Sequence, residues 1–475
     1  MRVRFAALIL GSVLVAACGA RVSDEQVASI RAATGPSGAS SPVAGSGAPA
    51  PASGGGAATV AAGDGTAAEA AGPGGGEQVQ ASGTSPAGAG DAPTEELRAS
   101  DVGITPTEIV VGHVTQLSGP VPGLFEGSVR GINAYAAYIN SKGGIAGRKL
   151  RVEVRDDQFD AAQNRSVTTE LLGKTFGLIG GISLYDDASA AEVGKSGAPD
   201  IPALALNKVR ADLPNNFAPQ PNADHAATGQ FLWFQREFPD AVKSVGSIYG
   251  DVPSAKRSHE NFRKAAESLG YVWKYDRGYQ PTETDFTADV IRMRQSGVKA
   301  VFLVALDAKN IARVLKAAAQ QNWKPDVWML GASAYDRTLL TLAGPAAEGV
   351  HVYSIASLYA GEDGGSVPEV KLYNEWLGRV APGKSADYYS VMAWASGMLL
   401  TQAIEKAGPN PTRASVVAAL KTITKFTANG LQAETNPADK GPSTCYLIMK
   451  VEGGRYRRVD PAGTGFRCEG TIFRR

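Results

Sequence analysis

The chain is poor in histidine and cysteine. Its 475 residues include four histidines and three cysteines. The histidines lie far apart, without the spacing of zinc ligands, and no glycine-rich loop carries the lysine of a P-loop. With 47 basic and 46 acidic residues, the net charge of +1 leaves no polycationic surface of the kind that binds nucleic acid. The sequence therefore predicts no metal, no cofactor and no nucleic-acid partner.

After Phe5, the first quarter of the chain has no aromatic residue, since no Phe, Tyr or Trp lies between Phe5 and Phe125. From Arg31 to Gly90, 51 of 60 residues are Gly, Ala, Pro, Ser or Thr. Such a segment has too little apolar area to offset a backbone entropy of roughly 1–2 kcal/mol per ordered residue. We therefore predict a disordered tether over residues 18–100. The alternative is a drift in composition without a selected length.

The N-terminus has no apolar run of the roughly 20 residues that a membrane-spanning helix needs. Arg2 and Arg4 precede a shorter apolar run from Phe5 to Ala17, and small residues come directly before Cys18. This pattern resembles the lipobox of bacterial lipoproteins. It predicts a signal peptide over residues 1–17 and a lipid on Cys18 that tethers the exported protein to the membrane. An ordinary secretory signal with an incidental cysteine is the alternative.

The other two cysteines, Cys445 and Cys468, form an even pair in a chain that is predicted to be exported. We predict that they form a disulfide, because disulfides persist in oxidising compartments. The bond would close a loop of about 23 residues, worth on the order of 3 kcal/mol in the chain-entropy model. Two free buried thiols are the alternative.

No catalytic residues are predicted. Gly331, Ser333 and Tyr335 approach the nucleophile elbow of hydrolases, but Tyr335 stands where the second glycine is required. His113 lies within an apolar strand and is expected to be a core residue rather than a base. The sequence therefore indicates a protein that is not an enzyme.

Short apolar runs alternate with helix-length segments after residue 101. Residues 129–139 place apolar side chains at helical spacing between the first two runs. The predicted strands cover residues 109–114, 150–154, 176–179, 201–206, 245–249, 300–305, 327–330 and 350–353. This order favours doubly wound α/β layers, whose ligands bind beyond the carboxyl ends of parallel strands.

Several segments resemble the type I periplasmic solute-binding proteins, in particular the leucine/isoleucine/valine-binding group of branched-chain amino acid ABC transporters. The motifs that carry the resemblance are Gly103–Ile109, Leu117–Pro120, Gly131–Ile132, Ile139–Asn140, Gly143–Arg148, Asp156–Asp157, Gly180–Ser183, Ile201–Ala203 and Gly331–Ser333. The resemblance implies an α/β fold of two lobes, each a doubly wound and mostly parallel sheet, joined by three hinge crossings. We place lobe 1 at residues 101–223 and 355–428, and lobe 2 at residues 224–354 and 429–475.

The resemblance also implies a ligand site in the cleft between the lobes, where Ser183 would give its hydroxyl to a ligand carboxylate. The turn at Leu117 and Ser118 can offer backbone NH groups and a hydroxyl to an anion or a carbonyl. The expected ligand-binding residues are Leu117, Ser118, Ser183, Leu184, Tyr185, Ala205, Leu206 and Asn207 in lobe 1, and Tyr249, Asp251, Leu306, Asp307, Ser333 and Tyr335 in lobe 2.

Lobe 2 departs from the pattern of the amino-acid-binding members, which carry a carboxylate for the ligand's ammonium group. Ser333 stands at that position, and Leu306 or a neighbour replaces a tyrosine. A buried ammonium group without an anion would be costly. Unless Asp251, Asp307 or Asp336 turns into the cleft, we expect a ligand other than a simple zwitterionic amino acid, such as an amide, a carboxylate or an aromatic compound.

Together these features predict a monomeric solute-binding protein that is anchored outside the cytoplasm through lipid on Cys18. It would close its lobes on a small solute and deliver it to an ABC permease in the membrane. One alternative is a surface receptor that reports its ligand to a signalling system. Another is a surface interaction protein whose cleft is vestigial.

Overall fold

The computed structural model describes residues 95–220 and 225–474. The predicted signal peptide, Cys18 and nearly all of the predicted tether lie outside the described residues. Within the described ranges, no helix is both long and apolar enough to cross a bilayer. The same ranges contain no group of three or more His, Cys, Asp or Glu side chains that could hold a metal ion.

Strands and helices alternate along the chain, and each of the eight predicted runs overlaps a strand. The strands are β1 (Glu108–Thr115), β2 (Lys149–Asp156), β3 (Leu178–Ile179), β4 (Asp200–Ile201), β5 (His225–Ala227), β6 (Val245–Gly250), β7 (Trp273–Tyr279), β8 (Ala300–Val304), β9 (Val327–Leu330), β10 (His351–Ser354), β11 (Cys445–Glu452), β12 (Arg455–Asp460), β13 (Arg467–Cys468) and β14 (Ile472–Arg474). The α-helices are α1 (Glu126–Ser141), α2 (Ala161–Leu172), α3 (Ala190–Ser196), α4 (Lys208–Ala211), α5 (Gly229–Glu237), α6 (Pro253–Glu267), α7 (Thr287–Gln295), α8 (Ala308–Gln320), α9 (Arg337–Ala343), α10 (Pro368–Val380), α11 (Tyr388–Ala407) and α12 (Arg413–Leu420).

The first sheet is parallel, with the strand order β2-β1-β3-β4. Every residue of β1 after Glu108 is buried, as expected of a parallel strand that is covered on both faces. His113 in this strand is a core residue, with Nδ1 3.0 Å from the Ile179 carbonyl and Nε2 3.1 Å from the Ser128 hydroxyl. Burial lowers the pKa of His113 to about 4, so its ring is neutral near pH 7.

Helices α1 and α11 pack against each other with their backbones unusually close. A Cβ atom on Gly131 of α1 would lie 1.9 Å from the backbone oxygen of Ser390, and one on Gly397 of α11 would lie 2.2 Å from the Tyr135 ring. Glycine at both positions makes this approach possible. The contact joins the early part of lobe 1 to its later segment, because α10, α11 and α12 come after strands β6 to β10 and before β11.

The second sheet has the order β12-β11-β10-β9-β8-β6-β7, with β13 beside β11. Strands β6 to β10 are parallel, whereas β11, β12 and β13 are antiparallel to their neighbours. All strands of this sheet fall within the residues that we predicted for lobe 2, and those of the first sheet fall within lobe 1. The change points between the lobes stay predictions.

The chain crosses three times between the sheets, and the crossings contact one another. Ala356 on the second crossing forms an antiparallel bridge with Gln432 on the third. The Gln432 side-chain amide donates to the Pro219 carbonyl on the first crossing at 3.0 Å, and the Thr435 hydroxyl donates to the same oxygen at 2.9 Å. Hydrogen bonds therefore connect the three crossings to one another beside the cleft.

The C-terminal segment closes one side of lobe 2. Cys445 and Cys468 are joined by a disulfide in the structure, in agreement with the predicted pairing. Beyond it, β14 pairs antiparallel with β5, which follows the first crossing. The disulfide thus connects the central sheet to the strands next to the crossing.

Candidate ligand-binding cleft

A cavity of about 320 Å³ lies between the carboxyl ends of the two sheets. In lobe 1, Leu184 follows β3, and residues 204–206 follow β4. In lobe 2, Gly250 ends β6, residues 305–307 follow β8, and residues 331–333 follow β9. Ligands of doubly wound sheets bind at this position, so the cavity is the candidate site.

Apolar side chains form most of the cavity wall. They are Val121, Leu124, Phe125, Phe159, Leu184, Leu204, Leu206, Val252, Phe262, Leu303, Val304, Leu306 and Ile355. Among the described residues, the lining includes no lysine or arginine, and its one carboxylate is that of Asp307. This carboxylate caps helix α8 by accepting from the Asn310 backbone NH at 2.8 Å. The cavity therefore favours ligands that are mostly apolar.

Two tyrosines at the start of α11 extend from lobe 1 into the cavity. Asp387 caps this helix and also receives a hydrogen bond from Arg130 at 2.5 Å, which fixes the place where the helix starts. Burial raises the pKa of the Tyr389 hydroxyl, and the nearby Asp307 carboxylate of lobe 2 raises it further. Tyr388 donates to the Gln220 side-chain oxygen on the first crossing. Both hydroxyls are protonated and neutral at physiological pH.

The comparison with known families decides the identity of the fold. The model of the periplasmic binding protein family matches residues 108–455. The chain belongs to the periplasmic binding protein family. The predicted type I fold of two α/β lobes is thereby confirmed, and so is the prediction that the protein is not an enzyme, because its relatives are solute-binding proteins.

Individual relatives of this periplasmic binding protein are distant in sequence. The Leu/Ile/Val-binding protein homolog 1 of Brucella suis is 24% identical over 310 residues, which cover 64% of this chain and 80% of the relative. A fatty acid ABC transporter substrate-binding protein from Thermomonospora curvata has a TM-score of 0.66 and 21% identity, with 76% of this chain and 94% of that chain covered. A branched-chain amino acid ABC transporter protein from Thermus thermophilus with bound valine has a TM-score of 0.64 and 18% identity, with coverage of 76% and 97%.

Of the ligand-binding residues that the sequence predicted for the periplasmic binding protein, six line the cavity. They are Leu184, Ala205, Leu206, Leu306, Asp307 and Ser333. Leu117, Ser118, Ser183, Tyr185, Asn207, Tyr249, Asp251 and Tyr335 lie outside the lining. Their direct contact with a ligand stays a prediction. In this structure their polar groups and rings contact other residues of the protein.

The expected anion-binding groups of lobe 1 are engaged by two carboxylates of the chain. The Leu117 backbone NH donates to Asp156 Oδ1 at 2.9 Å, and the Ser118 hydroxyl donates to Asp156 Oδ2 at 2.5 Å. The Ser183 hydroxyl donates to Asp157 Oδ2 at 2.5 Å. Asp156 and Asp157 thus occupy the donors that a ligand carboxylate was expected to use.

Several other predicted contact residues support the cavity wall from behind. Asn207 donates to the Leu184 carbonyl at 3.1 Å and holds that loop in place. The Tyr185 ring meets the edge of Phe159, a wall residue, at a centroid distance of 5.5 Å. Tyr249 stacks on His259 at 4.2 Å, away from the lining.

The remaining predicted carboxylates and Tyr335 also have partners within lobe 2 or close to it. Asp251 accepts from the Gln280 side-chain amide at 2.7 Å. Asp336 caps α9 by accepting from the Thr338 backbone NH at 2.6 Å. Tyr335 is buried and donates to Glu362. Asp307 is therefore the one carboxylate of those named from the sequence that reaches the cavity, and it meets the condition under which the sequence analysis allowed a ligand ammonium group.

Sequence reasoning missed Gln220, Tyr353, Tyr388 and Tyr389, which all line the cavity. The signal for the start of α11 was present, because Asp387 begins a capping box three residues before Ser390. That signal locates the helix start but not what the start faces. Its position opposite lobe 2 depends on the packing of segments that are hundreds of residues apart.

Proposed function

We propose that this periplasmic binding protein captures a small solute outside the cytoplasm and delivers it to the permease of an ABC importer. The observation that carries the proposal is a cavity that is walled by both lobes at the carboxyl ends of their strands. A ligand that touches both walls stabilises the closed arrangement by as much as it binds that arrangement better than the open one. Lobe closure is then the signal that the permease recognises.

The relatives support a role in import. One is a Leu/Ile/Val-binding protein homolog, and the structural neighbours carry the names of branched-chain amino acid and fatty acid ABC transporter proteins. For the present chain, the proposed contact residues are Leu184, Ala205, Leu206, Leu306, Asp307 and Ser333. The proposal includes membrane attachment through lipid on Cys18, which rests on the sequence pattern at the N-terminus.

Native mass spectrometry of the purified protein tests the proposal, because a closed cleft retains its solute. We expect a bound small molecule that is released on denaturation. Ala332→Trp places a large ring in the cavity lining and should abolish the bound mass. Ala319→Trp, on the exposed side of α8, is the matched control and should retain it. A protein that carries no solute and gives no thermal shift across a broad metabolite panel would refute the proposal.

A further inference from the structure

The charge of the cavity wall limits the ligands that the site can accept. Among the described residues that line the cavity, Asp307 and the His225 imidazole are the ionisable groups besides tyrosines and the disulfide-bonded Cys445. Asp307 already accepts two hydrogen bonds from Asn310, at 2.8 Å to the backbone NH and 3.3 Å to the side-chain amide. Within the described residues, no lysine or arginine lines the cavity, so a ligand carboxylate would have the His225 imidazole as its one basic neighbour and would share the wall with the Asp307 carboxyl group. Burial of an unpaired charge is strongly unfavourable.

The donors that the sequence predicted for a ligand anion are already engaged by carboxylates of the chain. The Leu117 and Ser118 donors are bound to Asp156, and the Ser183 hydroxyl is bound to Asp157. Neither carboxylate is part of the cavity wall. An α-carboxylate that used these donors, as in a free amino acid, would take them from the half-buried Asp156 or from the buried Asp157.

Two side-chain nitrogens of the cavity lining lack a hydrogen-bond partner within the described residues, Nε2 of Gln220 and Nδ1 of His225. An amide nitrogen can only donate, so Gln220 is the one of the two that requires an acceptor. Gln220 lines the cavity and is buried, and its side-chain oxygen accepts from Tyr388. Within the part of the chain that the structure describes, its side-chain nitrogen is buried and has no hydrogen-bond acceptor. A buried amide without a partner is unfavourable, and a ligand oxygen at this position would supply the missing acceptor.

We propose that the ligand is a neutral and largely apolar molecule with an oxygen acceptor, such as a long-chain alcohol, an ester or a sterol. This inference rests on the proposed function and concerns the solute class that the same cleft takes. The apolar body contacts the Leu, Val and Phe wall, and the acceptor oxygen receives the Gln220 amide. A cavity of about 320 Å³ lies in the range of about 300–1,000 Å³ that is typical of pockets for drug-sized ligands.

Displacement of the neutral fluorescent probe N-phenyl-1-naphthylamine tests the inference with the full chain. We expect 1-decanol and methyl decanoate to displace the probe at micromolar concentration at pH 8. L-leucine should not displace it, and decanoate should require at least about a 10-fold higher concentration than 1-decanol, as expected for an unpaired carboxylate. Ala332→Trp should remove probe binding, which places the probe in the cavity.

Substitution of Gln220 tests the position of the acceptor. Gln220→Leu should weaken 1-decanol about 5- to 10-fold, the equivalent of one hydrogen bond, and leave the affinity for the probe within about twofold. Gln235→Leu, which makes the same change on α5 away from the cavity, should alter neither affinity. Equal losses for probe and alcohol in Gln220→Leu would contradict the assigned contact. If this variant does not fold, displacement of the probe from the wild-type protein by 1-decanol, methyl decanoate, decanoate and L-leucine decides the ligand class.

The outcomes separate this inference from the proposed function. Binding of L-leucine, or binding of decanoate as tight as that of 1-decanol, overturns the neutral-ligand inference and leaves a functioning binding protein. Failure of every tested compound, together with native mass spectra that show no bound solute, overturns the proposed function and the inference with it. Displacement by the alcohol and the ester alone supports both.

Discussion

At the residue scale, Ser183 in the loop after β3 stabilises the buried carboxylate of Asp157, which follows β2. Burial raises the pKa of Asp157, and hydrogen bonds from Ser183 and Asn164 oppose that rise. Ser183→Ala should therefore lower the free energy of unfolding by about 1–3 kcal/mol, because Asp157 loses a donor. Urea denaturation at pH 7 measures this change. Ser141→Ala, at the exposed end of α1, should stay within about 0.5 kcal/mol of the wild type. Equal stability of both variants would contradict the role assigned to Ser183.

The carboxyl group of Asp186, in the same loop as Ser183, makes stability depend on pH. Burial raises the pKa of Asp186 to about 7, with further increases from Asp200 and Asp187, whereas Arg210 and the Asn207 amide lower it. The folded state therefore retains a proton that the unfolded state has lost between about pH 4 and 7. Stability falls as pH rises through this window, by up to about 1.4 kcal/mol per pH unit.

Asp186→Asn should remove this contribution, because the amide oxygen can still accept from Asn207 and carries no titrating proton. Urea unfolding between pH 4 and 8 should give a wild-type stability that decreases relative to the variant with rising pH. Parallel curves for the two proteins over that range would show that Asp186 does not titrate as described.

At the element scale, the closeness of α1 and α11 sets the shape of lobe 1 and the position of Tyr388 and Tyr389. Gly131→Ala should destabilise the protein by at least about 2 kcal/mol, because the new methyl group would meet the Ser390 backbone. Gly378→Ala on the exposed face of α10 is the control, since nothing lies within 4 Å of the added atom. It should raise stability by about 0.5–1 kcal/mol. Thermal and urea unfolding of both variants measure the contrast, and equal effects would argue against close backbone packing.

Apolar runs predicted the strands that are buried on both faces, such as β1 and β8. They did not predict β7, where Lys274 and Asp276 alternate with more buried neighbours at the edge of the second sheet. They also made β4 too long, since Pro202 lacks an NH for the ladder and the following residues turn toward the cavity. Pattern alone therefore locates central strands better than edges and strand ends.

The site was predictable to the extent that it follows the strand ends. Leu184, Leu306 and Ser333 come within a few residues of β3, β8 and β9 and line the cavity because parallel strands end at one edge. Gln220 lies on the first crossing and Tyr389 at the start of α11, and only tertiary packing brings these two residues to the cavity wall. The hydrogen bonds of Ser183 and Ser118 to neighbouring carboxylates also depend on loop geometry that spacing does not encode.

At the scale of the whole molecule, the two lobes depend on each other through the crossings. The chain passes from lobe 1 to lobe 2 and back, and the Gln432 amide connects the third crossing to Pro219 on the first. Gln432 also pairs with Ala356 on the second crossing. A ligand that changes the angle between the lobes therefore acts on all three crossings together, which suits a two-state closure.

Attachment of the whole molecule to the membrane is the last prediction, and it concerns Cys18, which lies outside the described residues. A lipid at this position would hold the binding protein near its permease and raise the effective concentration of loaded cleft. Cys18→Ser should move the protein from the detergent phase to the aqueous phase in a detergent partition, when it is expressed in a bacterium that processes lipoproteins. Ser23→Ala, which keeps the cysteine, should stay in the detergent phase.

Because the cleft is separate from the N-terminus in sequence, Cys18→Ser should still bind N-phenyl-1-naphthylamine with unchanged affinity. Retention of Cys18→Ser in the detergent phase would mean that another part of the chain holds the protein to the membrane.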